Sequence, residues 1–282
     1  MNKYIQLIRI KNCVMVSVAT IIGGVVVYGL PNIFVDSRVI YLLFAAISTF
    51  MFAAAGNVLN DYMDIDIDRI NHPERPLPSR ALNRSNAKQL VYMFFILGFI
   101  PVIFIIHQII PMLLIYSTSL ILMLAYEFRY KNRGFSGNVI IAFLTALLFI
   151  YGGISIGGFI IPVILSIPAF FATLSREITK DIEDLEGDFN RITVPKIMGI
   201  ENSATISSLF MIIAIFFSFL PLIMHLSNDF ALTLYTFFIF IGDAVFILSI
   251  YNFKFDASFH TSQSYMKLGM LAIFIAYIAI SI

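Results

Sequence analysis

The chain has no tryptophan, a single cysteine and few charges, with Asp, Glu, Lys and Arg making up only 12% of its 282 residues. Each shortage excludes something. The lone Cys13, set in an apolar run, rules out an intrachain disulfide and leaves the redox compartment open, with packing as its simplest role. Soluble domains carry about 25% charged and about 45–50% apolar residues, so a chain that is 60% hydrophobic does not belong among them. No soluble domain, linker or low-complexity tail stands out. The four histidines, His72, His107, His225 and His260, lack metal-ligand spacing and receive no role. Nothing in the chain points to nucleic acid. The aromatics are instead 29 phenylalanines and 13 tyrosines, and a mean hydropathy of +0.92 describes a polytopic membrane protein.

What is present is a series of long apolar runs. A membrane-crossing helix needs about 20 mostly apolar residues, and nine stretches qualify, near 12–30, 39–62, 88–106, 110–128, 137–157, 159–182, 203–225, 228–251 and 263–282. The expected fold is an all-α integral membrane protein, one polytopic domain over 1–282 with about nine transmembrane helices around a central cavity. Pro31, Pro111 and the glycines Gly152-Gly153 and Gly157-Gly158 are read as turns. The N-terminus, with Lys3, Arg9 and Lys11, resembles a signal peptide but lacks a small-residue cleavage site, and is read as a retained first helix. Seventeen of the eighteen Lys and Arg, all but Arg38, fall at the N-terminus or around the connections after helices two, four, six and eight. By the positive-inside rule the N-terminus is cytosolic. The protein is then a multi-pass cell-membrane protein whose acidic motifs, described next, open to the cytosol.

Those motifs come in two copies. Asn57, Asp61, Asp64 and Asp68 recur as Glu177, Asp181, Asp184 and Asp188, displaced by 120 residues throughout. The spacing i, i+4, i+7, i+11 places each set on one face if the helix is continuous. Each copy ends a long apolar run, where the helix dipole is already negative. Together the two stretches hold eleven of the seventeen acidic residues, counting Glu74. So many like charges require something positive against them, and hard oxygen ligands suit Mg²⁺, which completes its sphere with water and substrate phosphate. Lys131 first, then Arg129, Arg75 and Lys180, are placed to hold phosphate oxygens. A cytosolic acidic mouth above a phenylalanine-rich membrane interior suits an allylic diphosphate, its head at the aspartates and its tail in the apolar interior. Ionisation of the C–O bond would give an allylic cation that aromatic faces stabilise.

These features resemble the UbiA superfamily of intramembrane prenyltransferases. The resemblance is carried by N-D-x-x-D-x-x-x-D at Asn60–Asp68, by the second motif at Asp181–Asp188, and by the basic Tyr126–Lys131 connection. It implies Mg²⁺ and prenyl diphosphate at Asn60, Asp61, Asp64, Asp68, Asp181, Asp184 and Asp188. It gives Asp64, Asp68, Asp184, Asp188 and Lys131 the catalytic roles, and it places Asn12, in the first helix, at the diphosphate. Ile10-Lys11 stands where the family commonly has Arg-Pro. Arg80 replaces a frequent glycine, and Asn190–Pro195 is a loose form of the usual G-x-K-T-x-P. Within the superfamily, the stretches Gly56–Ser79, Gly134–Ile140 and Ser175–Asp188 are most similar to the archaeal ether-lipid branch. That branch implies a lipid phosphate acceptor, geranylgeranylglyceryl phosphate, prenylated on its hydroxyl. An aromatic acceptor, such as a quinone precursor or haem, is the alternative. A cation channel or transporter is a reading of another class, disfavoured because these carboxylates sit at helix ends and not at the bilayer midplane. Asp243, inside the eighth helix, is a costly intramembrane carboxylate with no evident partner.

Overall fold

The computed structural model describes residues 3–33, 38–185, 192–255 and 258–282, and all regular structure among them is helical. Helices α1 (Lys3–Ile8) and α2 (Ile10–Tyr28) part at Arg9, and α3 (Leu30–Ile33) follows. Helices α4 (Val39–Met63) and α5 (Ile65–Asn71) part at Asp64. Then come α6 (Arg84–Ile103), α7 (Ile109–Phe128), α8 (Phe135–Ser155), α9 (Ile160–Glu183) and α10 (Val194–Met198). The chain ends with α11 (Ile200–Ser218), α12 (Leu220–Ile223), α13 (Asp229–Phe255) and α14 (Phe259–Ala279).

Each of the nine expected stretches appears as a helix, shifted by a few residues. Eight spans are long and apolar enough to cross a membrane, α11 and α12 counting together as Ile200–Ile223. The ninth, α14, has 21 residues and is more polar, with His260, Gln263 and Lys267 in its first half. The chain is a multi-pass helical membrane protein. Helix α8 sits at the junction of the bundle, packing against α2, α4, α7 and α9. It therefore touches both helices, α4 and α9, that carry the acidic motifs.

Close approach around α8 depends on glycine, and this corrects the reading of Gly152 and Gly153 as turn residues. Both lie inside α8, and a Cβ on Gly152 would fall 1.8 Å from the Thr20 carbonyl oxygen of α2. Gly23 of α2 faces Phe149 in the same way, at 2.1 Å. Small residues let membrane helices approach until backbones touch, and hydroxyls bind the seam. Thr20 meets Thr49 at 3.0 Å between α2 and α4, and Ser48 meets Tyr151 at 3.0 Å between α4 and α8. Gly152→Val forces α2 and α8 apart and should cost at least the ~1–3 kcal/mol typical of overpacking. Thermal unfolding in detergent should show a clearly lower midpoint, and an unchanged midpoint would remove this account of the seam.

Candidate active site

Carboxylates crowded at the C-terminal end of an apolar helix repel one another and the dipole behind them, and the chain relieves this by breaking the helix. Helix α4 stops at Met63, Asp64 takes φ −93° and ψ 7°, and α5 begins at Ile65, so Asp68 stands on a separate short helix. The single continuous face expected for Asn57–Asp68 is corrected accordingly. The second copy breaks at the matching residue: Asp184 ends α9 at φ −84° and ψ 3°. The 120-residue repeat in sequence is thus also a repeat of backbone geometry.

Every aspartate of the first motif face meets a cation. Arg9 donates to Asp61, and Lys131 Nζ donates to Asp64 Oδ2 at 2.7 Å. Arg75 Nη1 donates to both oxygens of Asp68 at 2.8 Å and lies 3.9 Å from Asp61. Burial makes these pairings necessary, because a charge removed from water without a partner is strongly destabilising. The Asp61 side chain is 4% exposed and that of Lys131 6%. Asp66, off the motif face, is exposed and pairs with Arg69.

Three participants were not assigned to the site from sequence, although Arg9 stands beside the Ile10-Lys11 pair where the family resemblance weakens. Arg9 sits at φ 51°, a left-handed conformation that is uncommon outside glycine. The resulting bend between α1 and α2 is held by Asn57, whose amide donates to the Ile8 carbonyl at 2.8 Å. This bend delivers Arg9 to Asp61. Asn12, expected near the diphosphate, is exposed and makes no side-chain hydrogen bond among the described residues. The second participant is Glu127 at the end of α7, its side chain 2% exposed; Lys131 donates to its Oε2 and Asn60 to its Oε1, both at 3.0 Å. An acid four residues before a lysine reads as a surface pair, and only burial reveals otherwise. The third is Asn138 of α8, which donates to Asp181 Oδ2 at 2.9 Å.

Residues 127–138 therefore join the two copies. Glu127 and Lys131 engage the first, and Asn138, seven residues beyond Lys131, engages the second. Between them Gly134 turns at φ 57°, its N–H donating to the Ile192 carbonyl at 2.6 Å. In the second copy Glu177 pairs with Arg176, and Asp184 lies exposed at the end of α9. Asp188 falls outside the described residues, as do Glu186 and Arg191. Two expected phosphate ligands stand apart from these contacts. Arg129 is exposed and lies over the Tyr130 ring, while Lys180 is exposed and makes no ion pair among the described residues. Glu183 accepts from Gln263 at 2.6 Å and lies 2.9 Å from His260 Nδ1, tying α9 to α14. Asp243 has a partner after all: it accepts from Ser218 at 3.0 Å, and from no motif residue among the described residues.

Residues 16–271 match the UbiA prenyltransferase family. The chain belongs to that family. This UbiA prenyltransferase is 37% identical over 257 residues to the digeranylgeranylglyceryl phosphate synthase of Methanococcus maripaludis, across 90% of this chain and 88% of the relative. A solved structure concerned with digeranylgeranylglyceryl phosphate synthase in membranes is 31% identical, with a TM-score of 0.78 over 99% of this chain and 97% of that one. A UbiA homologue from Archaeoglobus fulgidus bound to DMAPP and Mg²⁺ shares the fold, at a TM-score of 0.73 and 18% identity over 96% of this chain and 99% of that one.

The donor set of the UbiA prenyltransferase passes a chemical test for a hard divalent ion. Asp61, Asp64, Asp68 and the amide oxygen of Asn60 are all hard oxygen donors, and no thiolate or imidazole competes among these contacts. Among the described residues no three such side chains stand close enough to share an ion as placed, since basic side chains occupy the carboxylates. Those same basic groups suit phosphate oxygens.

Proposed function

We propose that this prenyltransferase transfers a geranylgeranyl group from geranylgeranyl diphosphate to the hydroxyl of geranylgeranylglyceryl phosphate. The products are digeranylgeranylglyceryl phosphate and diphosphate, and Mg²⁺ is the cofactor. The observation that carries the reaction type is the buried Lys131 ammonium held against Asp64, a fixed positive charge where a diphosphate would leave. The names of relatives such as that of Methanococcus maripaludis support the acceptor. The A. fulgidus homologue bound to DMAPP and Mg²⁺ supports the donor class and the metal.

Asn60, Asp61, Asp64 and Asp68 would hold metal from one copy, and Asp181, Asp184 and Asp188 from the other. The ion, when bound, stabilises the charge that develops on the departing diphosphate. Lys131 and Arg75 bind diphosphate oxygens directly, Arg9 joins them, and Asn12 and the exposed Arg129 and Lys180 complete the diphosphate-binding set. The allylic C–O bond breaks, the acceptor oxygen forms the new C–O bond, and its proton passes to a carboxylate or to the departing diphosphate. Anchored by its phosphate on the basic rim, an alcohol acceptor needs only its hydroxyl near the allylic carbon. The mouth opens to the cytosol.

Two experiments test this reading. Purified protein with labelled geranylgeranyl diphosphate and Mg²⁺ should yield labelled diether phosphate when given geranylgeranylglyceryl phosphate, and no labelled product with 4-hydroxybenzoate. A labelled aromatic product without diether would overturn the acceptor, and full activity in EDTA would overturn the metal. For orientation, a cysteine at Ser79 should react only with cytosolic reagent and one at Ser227 only with external reagent. The reverse pattern would invert the protein in the membrane.

A further inference from the structure

Glu127 belongs to neither acidic motif, yet it is among the most deeply buried charged side chains at the site, 2% exposed at the end of α7. A carboxylate this buried at the end of a membrane helix calls for a partner. It has two partners, one per oxygen: Oε1 accepts from the Asn60 amide and Oε2 from the Lys131 ammonium, both at 3.0 Å. We propose that Glu127 is a positioning residue, which sets the Asn60 amide and the Lys131 ammonium for metal and diphosphate. The inference deepens the prenyl-transfer reading above and rests on it.

The chemistry follows from what a carboxylate can and cannot do. An ionised carboxylate only accepts hydrogen bonds, whereas the Asn60 amide has an accepting end and a donating end. Facing Glu127, the amide must present its NH₂, and its Oδ1 is thereby turned away. A hard cation needs that oxygen, so Glu127 fixes the one orientation in which Asn60 can serve as a ligand. The second effect concerns Lys131, whose long side chain is flexible and strongly hydrated. Lys131 is held between Asp64 and Glu127, at 2.7 and 3.0 Å. When Asp64 turns to another partner, Glu127 still retains the ammonium inside the site. Its position four residues before Lys131, across the turn Tyr130–Asn132, is what permits this grip. Groups that orient metal ligands in this indirect way commonly change metal affinity or activity by roughly 10–100-fold when altered.

Glu127→Gln is the decisive variant, because it keeps the shape but offers Asn60 both a donor and an acceptor. Mn²⁺ binding to the full-length unliganded protein, followed by electron paramagnetic resonance, should weaken by roughly ten-fold or more. The KM for geranylgeranyl diphosphate should rise by a similar factor while kcat changes less. Glu127→Asp should recover part of both. Wild-type Mn²⁺ affinity and wild-type KM in Glu127→Gln would overturn the proposal. So would a lower unfolding midpoint and kcat with KM and Mn²⁺ affinity unmoved, the pattern of a merely structural residue. If the wild-type protein transferred prenyl to neither acceptor, the functional reading would fall, and the Mn²⁺ comparison would still decide the role of Glu127.

Discussion

Asp64→Asn should lower turnover by at least about a hundred-fold, the lower end of what losing one preorganised electrostatic contact costs. Asp64 lies where α4 breaks, and its carboxylate is both a proposed metal ligand and the partner of Lys131. Asparagine keeps the shape and removes the charge. Stability should change little, because Lys131 retains Glu127. The control is Asp66→Asn, two residues on, whose carboxylate is 79% exposed and pairs with Arg69 alone among the described residues. That variant should turn over like wild type. Measured kcat values for the pair therefore separate a structured ligand set from general acidity of the segment. Equal losses in both, or no loss in Asp64→Asn, would sink the assignment.

Lys131→Ala should injure both function and folding, and the two can be separated. Removing the ammonium leaves Glu127 buried with only Asn60 to compensate it, and breaking a buried pair this way costs about 3–5 kcal/mol. Turnover should also fall by about 10²–10³-fold for want of a fixed charge beside the leaving group. The double variant Lys131→Ala with Glu127→Gln removes the uncompensated charge at position 127. It should regain much of the lost unfolding midpoint and none of the turnover, a non-additivity expected of residues in contact. Recovery of turnover in the double variant would mean that Lys131 serves folding alone.

How much of this was legible in the sequence differs from residue to residue. The apolar runs announce their helices because the bilayer demands about 20 apolar residues for each crossing, and only the polar start of α14 blurs the ninth. Lys131 was legible as a base beside the acidic motifs, although the positive-inside rule gave it a second explanation that only its contact with Asp64 sets aside. The break at Asp64 was half legible: charge repulsion at a negative helix end forecasts strain, but not which residue yields. Arg9 was hidden, since Gln6–Asn12 contains no glycine or proline to mark a bend, and a left-handed arginine is stabilised only by tertiary partners such as Asn57 and Asp61. Glu127 was hidden for the opposite reason. Its spacing to Lys131 has an ordinary surface explanation, and depth in the bundle is not written in local pattern. The glycines of α8 signal turns by composition but close packing by context.

The cation pairs of the first motif have a consequence for synthesis. Arg9 and Asp61 are 52 residues apart in the chain, and Lys131 and Asp64 are 67 apart. Chains emerge from the ribosome N-terminus first at about 5–20 residues per second. Asp61 thus meets a counter-ion that already exists, as soon as the first two membrane segments lie side by side. Asp64 has no such luck: its lysine is made on the order of ten seconds later, after two further segments have entered the bilayer. Until then the Asp64 carboxylate does without the ammonium that later holds it at 2.7 Å. The mouth of the enzyme is therefore neutralised in instalments, and the last one arrives with the segment that also brings Asn138 to the second motif.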